Sequence, residues 1–224
     1  MIKHRFSWLL SVVVVCAVVV GALLIWLSQT TTGGGEEEIQ ALFADIPQNT
    51  TTLGSEDAPV TIYLYEDLQC PVCARFTRDT FPELVKSYVE PGQVKVVSEP
   101  IAVIGPDSVP AAKAALSAGE QNRYWEYSTL FFLNQGRENS GYATDEFLTN
   151  IAGKTQGLDV NRWNETRESD AVQSELDSAQ ASGQDEGIEG TPTIVVSGPG
   201  GTSKLVGAVP ISRIAAAIDE VRSS

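Results

Sequence analysis

The spacing of apolar residues divides the chain into one continuous apolar segment and a longer part with strand and helix patterns. Residues 8–27 are almost wholly apolar, and about 20 such residues cross a bilayer at roughly 1.5 Å per helical residue. Lys3 and Arg5 precede this segment, and the next basic residue after it is Arg75. Because basic residues stay on the cytoplasmic side, we expect a transmembrane anchor at 8–27, a cytoplasmic N-terminus at 1–7 and all later residues outside.

A cleaved signal peptide is the alternative interpretation of this segment. Signal peptides usually have a shorter apolar core, followed by a cleavage site of small residues. Here residues 25–29 read Ile-Trp-Leu-Ser-Gln, which is a poor cleavage site. We therefore favour a retained anchor, which predicts a single-pass protein of the cell membrane with an extracytoplasmic domain.

Polar and glycine residues follow the apolar segment. Three threonines, three glycines and three glutamates occupy residues 30–38, a composition typical of a flexible tether. We expect a flexible linker over residues 28–52, with a short helix and a lead-in within 39–52. The folded domain is expected to cover residues 53–224.

The first part of this domain alternates between strand and helix patterns. The apolar run at 60–65 predicts a strand, and the next pattern predicts a helix from Cys70 to about Val89. Pro82 is expected to kink or break this helix, because proline lacks the N–H that the helix needs. Residues 94–98 predict a second strand, which a right-handed crossover makes parallel to the first.

A long helical block separates these elements from a C-terminal group of strands. Residues 108–187 have helical spacing, with an aromatic stripe at 124–132 that indicates a core face rather than a ligand site. Strands are expected at 193–196 and 202–206, and a final helix at 211–221. The order β-α-β, helical block, β-β-α predicts an α/β thioredoxin-like fold with an all-helical insertion at about 108–187.

Charge excludes one class of partner. All 29 acidic residues, but only 13 of the 15 basic ones, lie after residue 35, so this part of the chain has a net charge of −16. Nucleic acid and anionic lipid both require a basic surface. We expect no nucleic-acid partner and regard the acidic surface chiefly as a source of solubility.

The strongest chemical signal is the pair of cysteines in Cys70-Pro71-Val72-Cys73. Two cysteines separated by two residues, between a strand and a helix, are placed for reversible disulfide chemistry. The first would lie at the helix N-terminus, where unpaired N–H groups and the positive dipole end favour a thiolate. Proline fits the first helical turn, and a thiolate is the species that attacks disulfides.

A zinc half-site and a structural disulfide are the alternative interpretations of this pair. Structural zinc needs four ligands, and the chain offers only Cys16, Cys70, Cys73 and His4. The predicted anchor places Cys16 in the membrane and His4 beyond it. A bridge across two residues closes too small a loop to constrain the unfolded chain much. We therefore favour a redox pair and expect neither a metal nor a cofactor.

Three stretches of the sequence together resemble the DsbA-like branch of the thioredoxin superfamily, and within it the membrane-anchored oxidoreductases of the BdbD type. They are residues 65–73 with the cysteine pair, residues 121–127 in the helical block, and residues 187–193, which end in Gly-Thr-Pro-Thr. This resemblance implies a cis Thr191–Pro192 bond that faces the cysteines. It also implies that the Thr191 backbone binds an extended substrate segment by strand addition.

The motif departs from DsbA in one position and leaves two acidic neighbours open to interpretation. DsbA has a histidine between its cysteines that helps to stabilise the first thiolate, whereas this chain has Pro71 and Val72. A strongly oxidising potential therefore does not follow from the resemblance. Glu66 and Asp67 are either solvated carboxylates after a strand, or one of them relays protons to or from Cys73.

These observations predict a protein thiol-disulfide oxidoreductase that introduces disulfides into exported proteins. Cys70 and Cys73 would be the catalytic residues, and Thr191 and Pro192 would contact the substrate. The resemblance implies a membrane reoxidant of the DsbB or VKOR type, and we expect a monomer. A reductase or isomerase with the same residues is one alternative, and a redox-inactive binding or chaperone module on the same fold is the other.

Overall fold

A computed structural model describes Val20 and residues 34–222. The predicted anchor at 8–27 therefore lies outside the described residues, except for Val20, as do Cys16 and His4. Within the described ranges, every helix is too short or too polar to span a bilayer.

From residue 60 onward, strands and helices follow the predicted order, whereas the two short strands before residue 60 were not predicted. The strands are β1 (Gln48–Asn49), β2 (Thr52–Leu53), β3 (Val60–Glu66), β4 (Val94–Pro100), β5 (Thr193–Gly198) and β6 (Gly201–Val206). The helices are α1 (Gly34–Phe43), α2 (Pro71–Asp79), α3 (Phe81–Leu84), α4 (Ser108–Gly119), α5 (Tyr124–Leu133), α6 (Asp145–Lys154), α7 (Val160–Thr166), α8 (Asp170–Asp185) and α9 (Ile211–Arg222), with a π-helical turn at Val85–Val89 after α3.

The strands form one sheet in the order β1-β2-β4-β3-β5-β6. β3 is central, parallel to β4 as predicted and antiparallel to β5. Tyr65 and Glu66, at the end of β3, are both buried although they point to opposite faces. Both faces of the sheet are therefore covered where the cysteine motif begins.

The predicted break in the first long helix is confirmed. α2 ends at Asp79, Thr80 leaves helical geometry with φ −122°, and α3 begins at Phe81 with Pro82 in its first turn. Proline fits there because the first turn has no internal acceptor for its missing N–H. The π-helical turn at Val85–Val89 was not predicted.

The predicted all-helical insertion is α4 to α8. Side-chain oxygens of Thr144, Asp159 and Ser169 cap α6, α7 and α8 by accepting backbone N–H bonds, as N-cap residues do. The aromatic stripe of α5 is core, as predicted, and the Trp125 ring stacks on Phe81 at 5.1 Å between centroids.

The folded domain begins earlier than the predicted start at residue 53. Ile39 and Phe43 on α1 and Ile46 after it belong to the main hydrophobic core. β2 also pairs with β4, with Leu53 opposite Val96. The predicted linker over 28–52 is therefore wrong from residue 39 onward. The four-residue spacing of Ile39 and Phe43, which places both on one face of α1, is the signal that indicates a packed helix.

Candidate functional site

Cys70 lies at the junction of β3 and α2, where the sequence predicts it. It is the N-cap residue of α2, with extended backbone angles of φ −70° and ψ 117°, and Pro71 is the first helical residue. The Cys70 side chain accepts a hydrogen bond from the Cys73 backbone N–H at 3.4 Å. A backbone N–H group of the first helical turn, which has no acceptor within the helix, thus points at the Cys70 sulfur.

The fold brings the cysteine motif and the proline loop together, although they are about 120 residues apart in sequence. Cys70 Sγ lies 3.3 Å from the carbonyl oxygen of Thr191, to which it donates a hydrogen bond when the thiol is protonated. The Thr191–Pro192 bond is cis, as the family resemblance implies. Both cysteines are free thiols, and both are buried.

The two thiols differ in acidity. A hydrogen bond with the Cys73 side chain is the main cause that lowers the pKa of Cys70 from 9.0 to about 6. Burial opposes this shift, while the Thr191 side chain and the backbone N–H groups of Cys73 and Val72 add to it. Burial, the hydrogen bond with Cys70 and the charge of Glu66 raise the pKa of Cys73 well above 9.0. Near neutral pH, Cys70 is therefore a thiolate and Cys73 a thiol.

Glu66 is buried, so it is not a solvated carboxylate. Its side chain is 5% exposed, and its Oε1 atom has no hydrogen-bond partner among the described residues. Burial, and then the charge of Cys70, raise the pKa of Glu66 well above 4.5. Glu66 in turn acts electrostatically on Cys73. A buried acid coupled to both thiols can hold a proton next to the redox pair.

Asp67 is fully buried and supports the loop structure around the motif. Its Oδ1 accepts the N–H of Gln69 at 2.9 Å. Its Oδ2 accepts the N–H groups of Val103 and Ile104, both at 2.9 Å. The carboxylate therefore joins the segment before Cys70 to the loop after β4, so it is a positioning residue rather than a solvated one.

Asp67→Asn should lower the free energy of unfolding of the reduced protein. The amide NH₂ cannot accept hydrogen bonds, so at least one buried N–H loses its acceptor along with the charge, a cost of about 3 kcal/mol. Asp79→Asn is the matched control, because Asp79 is exposed and its ion pair among the described residues is with its neighbour Arg78 at 3.0 Å. That change should cost less than about 1 kcal/mol. Urea unfolding measures both, and equal losses would contradict the positioning role.

Sequence reasoning missed a group of amides that hold the motif. Gln69 is fully buried; its Nε2 donates to Ser108 Oγ at 2.9 Å, and its Oε1 accepts the N–H of Asn139 at 2.8 Å. Gln135 Nε2 donates to the carbonyl oxygens of Leu68 at 2.6 Å and Cys70 at 3.2 Å. The helical insertion thus fixes the backbone on which Cys70 sits. No local pattern predicts contacts between residues so far apart in sequence.

Within the described ranges, His, Cys, Asp and Glu side chains form no group of three or more that could hold a metal ion.

Comparison with known sequences identifies the family. The sequence model of the family described as Thioredoxin matches residues 47–220. The chain belongs to the thioredoxin family. The match includes the cysteine motif, the helical insertion and the cis-proline loop, so the whole candidate site lies inside it.

Individual relatives agree with this assignment. Disulfide bond formation protein D of Bacillus subtilis is 27% identical over 146 residues, which cover 64% of this chain and 66% of the relative. The probable disulfide bond formation protein D of Bacillus anthracis is 26% identical over 150 residues, covering 66% and 69%. The matches thus extend over about two thirds of the length of these relatives.

Solved structures show the same fold. BdbD from Bacillus subtilis superposes with a TM-score of 0.68 at 23% identity, covering 79% of this chain and 97% of that one. A thioredoxin-like oxidoreductase from Silicibacter pomeroyi gives a TM-score of 0.66 at 27% identity, covering 83% and 98%. The predicted resemblance to DsbA-like proteins is confirmed, as is the enzyme class, a protein thiol-disulfide oxidoreductase.

Proposed function

We propose that this protein is a membrane-anchored, extracytoplasmic oxidoreductase that introduces disulfides into exported proteins through Cys70 and Cys73. The observation that carries the proposal is the asymmetry of the two thiols. The lowered pKa of Cys70, about 6, makes it a good leaving group, and the raised pKa of Cys73 keeps that residue protonated. Cys70 also faces the Thr191 carbonyl, where a substrate backbone would lie.

The reaction transfers two electrons from the substrate to the enzyme. A substrate thiolate attacks Cys70 Sγ of the Cys70–Cys73 disulfide, so a mixed disulfide forms and Cys73 leaves as a thiolate that takes up a proton. A second substrate thiolate then attacks the substrate sulfur of the mixed disulfide. Cys70 leaves as a thiolate, the substrate carries a new disulfide, and the enzyme is the dithiol.

Two further residues support these steps. Glu66 is coupled to Cys73 and has a raised pKa, so it is the group that supplies the proton to the leaving Cys73 thiolate. The carbonyl of Thr191, beside Cys70, accepts a backbone N–H of an extended substrate segment, as in strand addition. The proposed roles thus divide between acid–base work at Glu66 and substrate alignment at Thr191.

The proposed location follows from the sequence of the N-terminus. The apolar segment at 8–27, with Lys3 and Arg5 before it, favours a retained anchor and an extracytoplasmic domain. Persistent disulfides form in such compartments. Two relatives carry the name disulfide bond formation protein D, one of them as probable, which supports the introduction of disulfides as the reaction. A membrane protein of the DsbB or VKOR type is the proposed reoxidant, and we propose a monomer.

The equilibrium redox potential of the Cys70–Cys73 pair tests the direction of transfer. Stabilising the Cys70 thiolate favours the reduced enzyme and makes the pair oxidising, whereas Val72 adds no cationic donor. We expect a potential between roughly −120 mV, as in DsbA, and roughly −270 mV, as in thioredoxin, on the oxidising side of the midpoint. Equilibration of the full chain in glutathione buffers, followed by thiol alkylation, measures it. A value near that of thioredoxin would replace the proposed oxidase with a reductase.

A further inference from the structure

Two buried residues that line the same small cavity each have a polar atom without a hydrogen-bond partner among the described residues. Glu66 Oε1 accepts hydrogen bonds and Trp125 Nε1 donates one, yet neither has a partner among the described residues. Both residues line a cavity between the end of β3 and helices α2, α3 and α5. Buried polar groups almost always have a hydrogen-bond partner, so two buried polar atoms without one, on residues at the same cavity, need an explanation.

The cavity has the size and polarity that suit a single water molecule. Its volume is about 10 Å³, and a cavity needs roughly 10–15 Å³ to hold one water. Its lining also includes Thr77, Ser128 and Thr129, so hydroxyl groups are available as hydrogen-bond partners in addition to the two unpartnered atoms. Larger ligands do not fit, and an indole N–H cannot bind a metal ion.

We propose that this cavity binds one water molecule, which accepts a hydrogen bond from Trp125 Nε1 and donates one to Glu66 Oε1. When Glu66 is neutral, its carboxyl group can instead donate a hydrogen bond to the water. The water then donates its own hydrogen bond to a hydroxyl group of the cavity lining. One molecule therefore serves both protonation states of the acid. Trp125 acts through the water and is a positioning residue, and stacking on Phe81 at 5.1 Å fixes its ring.

The water changes the acidity of Glu66. A hydrogen bond to the carboxylate stabilises the charged form, so it opposes the rise in pKa that burial causes. The other titratable groups coupled to Glu66 are Cys70, Cys73 and Tyr124. The effect on proton transfer to Cys73 rests on the proposed function, whereas the water site itself does not.

Nuclear magnetic resonance of the indole N–H groups of Trp125 and Trp163 tests the water site. In the ¹⁵N-labelled, reduced full chain in detergent micelles, the Trp125 indole hydrogen should show a direct nuclear Overhauser effect to water. Trp163 is the matched control, because its buried Nε1 donates to the Ala114 carbonyl at 2.7 Å and should show none. Glu66→Gln should keep the Trp125 signal, since an amide oxygen still accepts from the water. A Trp125 indole without contact to water would overturn the proposal.

Infrared titration tests the effect on the acid. The C=O band of neutral Glu66, identified by its loss in Glu66→Gln, should disappear at higher pH in Trp125→Phe than in the unchanged chain. We expect the midpoint to shift by about one pH unit, because the free energy of such a shift is similar to that of one neutral hydrogen bond. Trp163→Phe should leave this midpoint in place. An unchanged midpoint in Trp125→Phe would overturn the role of Trp125. Disulfide exchange is measured separately, so loss of the water site and loss of the proposed function are distinguishable.

Discussion

Cys73→Ser should accumulate stable mixed disulfides with substrate, whereas Cys70→Ser should form none and lose all exchange activity. The Cys70 sulfur lies 3.3 Å from the carbonyl oxygen of Thr191, which is the proposed substrate-binding group. Cys73 is fully buried, so an external thiol or disulfide cannot reach it directly. Removing Cys73 leaves the mixed disulfide on Cys70 without the internal thiol that would resolve it.

Non-reducing electrophoresis, after mixing each reduced variant with an unfolded protein that carries a disulfide, measures the trapped species. The Cys70 thiolate attacks that disulfide, so a mixed disulfide forms and one substrate thiol is released. For Cys73→Ser, the substrate carries the disulfide, because the variant cannot form its own. Cys16→Ser is the control for the third cysteine of the chain, and it should behave as the unchanged protein. Equal trapping by Cys70→Ser and Cys73→Ser would mean that the two roles are assigned wrongly.

Local chemistry explains why the position of Cys70 could be predicted. An apolar strand before the motif and a proline directly after Cys70 leave a helix start as the simplest conformation for residue 70. The structure adds only the distances. β3, β4 and β5 were predictable for a similar reason, since each contains a short run rich in apolar residues. β1 and β2, with two residues each, have no such run and were not predicted.

The different surroundings of Glu66 and Asp67 could not be predicted from the local sequence. The two residues are adjacent and similar in sequence, yet one is a buried acid coupled to the thiols and the other binds three backbone N–H groups. The difference depends on a loop more than 30 residues later, which supplies the N–H groups of Val103 and Ile104 to Asp67. Only the tertiary structure could show that both carboxyl groups are buried and have different surroundings.

The early start of the domain shows a different limit. α1 contributes Ile39 and Phe43 to the core, but glycines and glutamates dominate the sequence just before them. A short amphipathic pattern next to a polar tether is stabilised chiefly by tertiary packing, because an isolated helix of this length is marginal in water. Its stability therefore could not be read from its own residues.

Alkylation of the reduced protein should depend on pH with a midpoint near the Cys70 pKa of about 6. The thiolate is the reactive species, so the rate should fall about tenfold for each pH unit below the midpoint and level off above it. The low midpoint distinguishes Cys70 from an ordinary thiol, whose alkylation rate would still increase with pH at pH 8. Cys73 should contribute nothing below pH 9, because burial raises its pKa well above 9.0. Iodoacetamide labelling with mass spectrometry of each cysteine, in Cys16→Ser to remove the third thiol, measures both curves. A Cys70 midpoint at or above 9 would remove the leaving-group argument on which the oxidising direction depends.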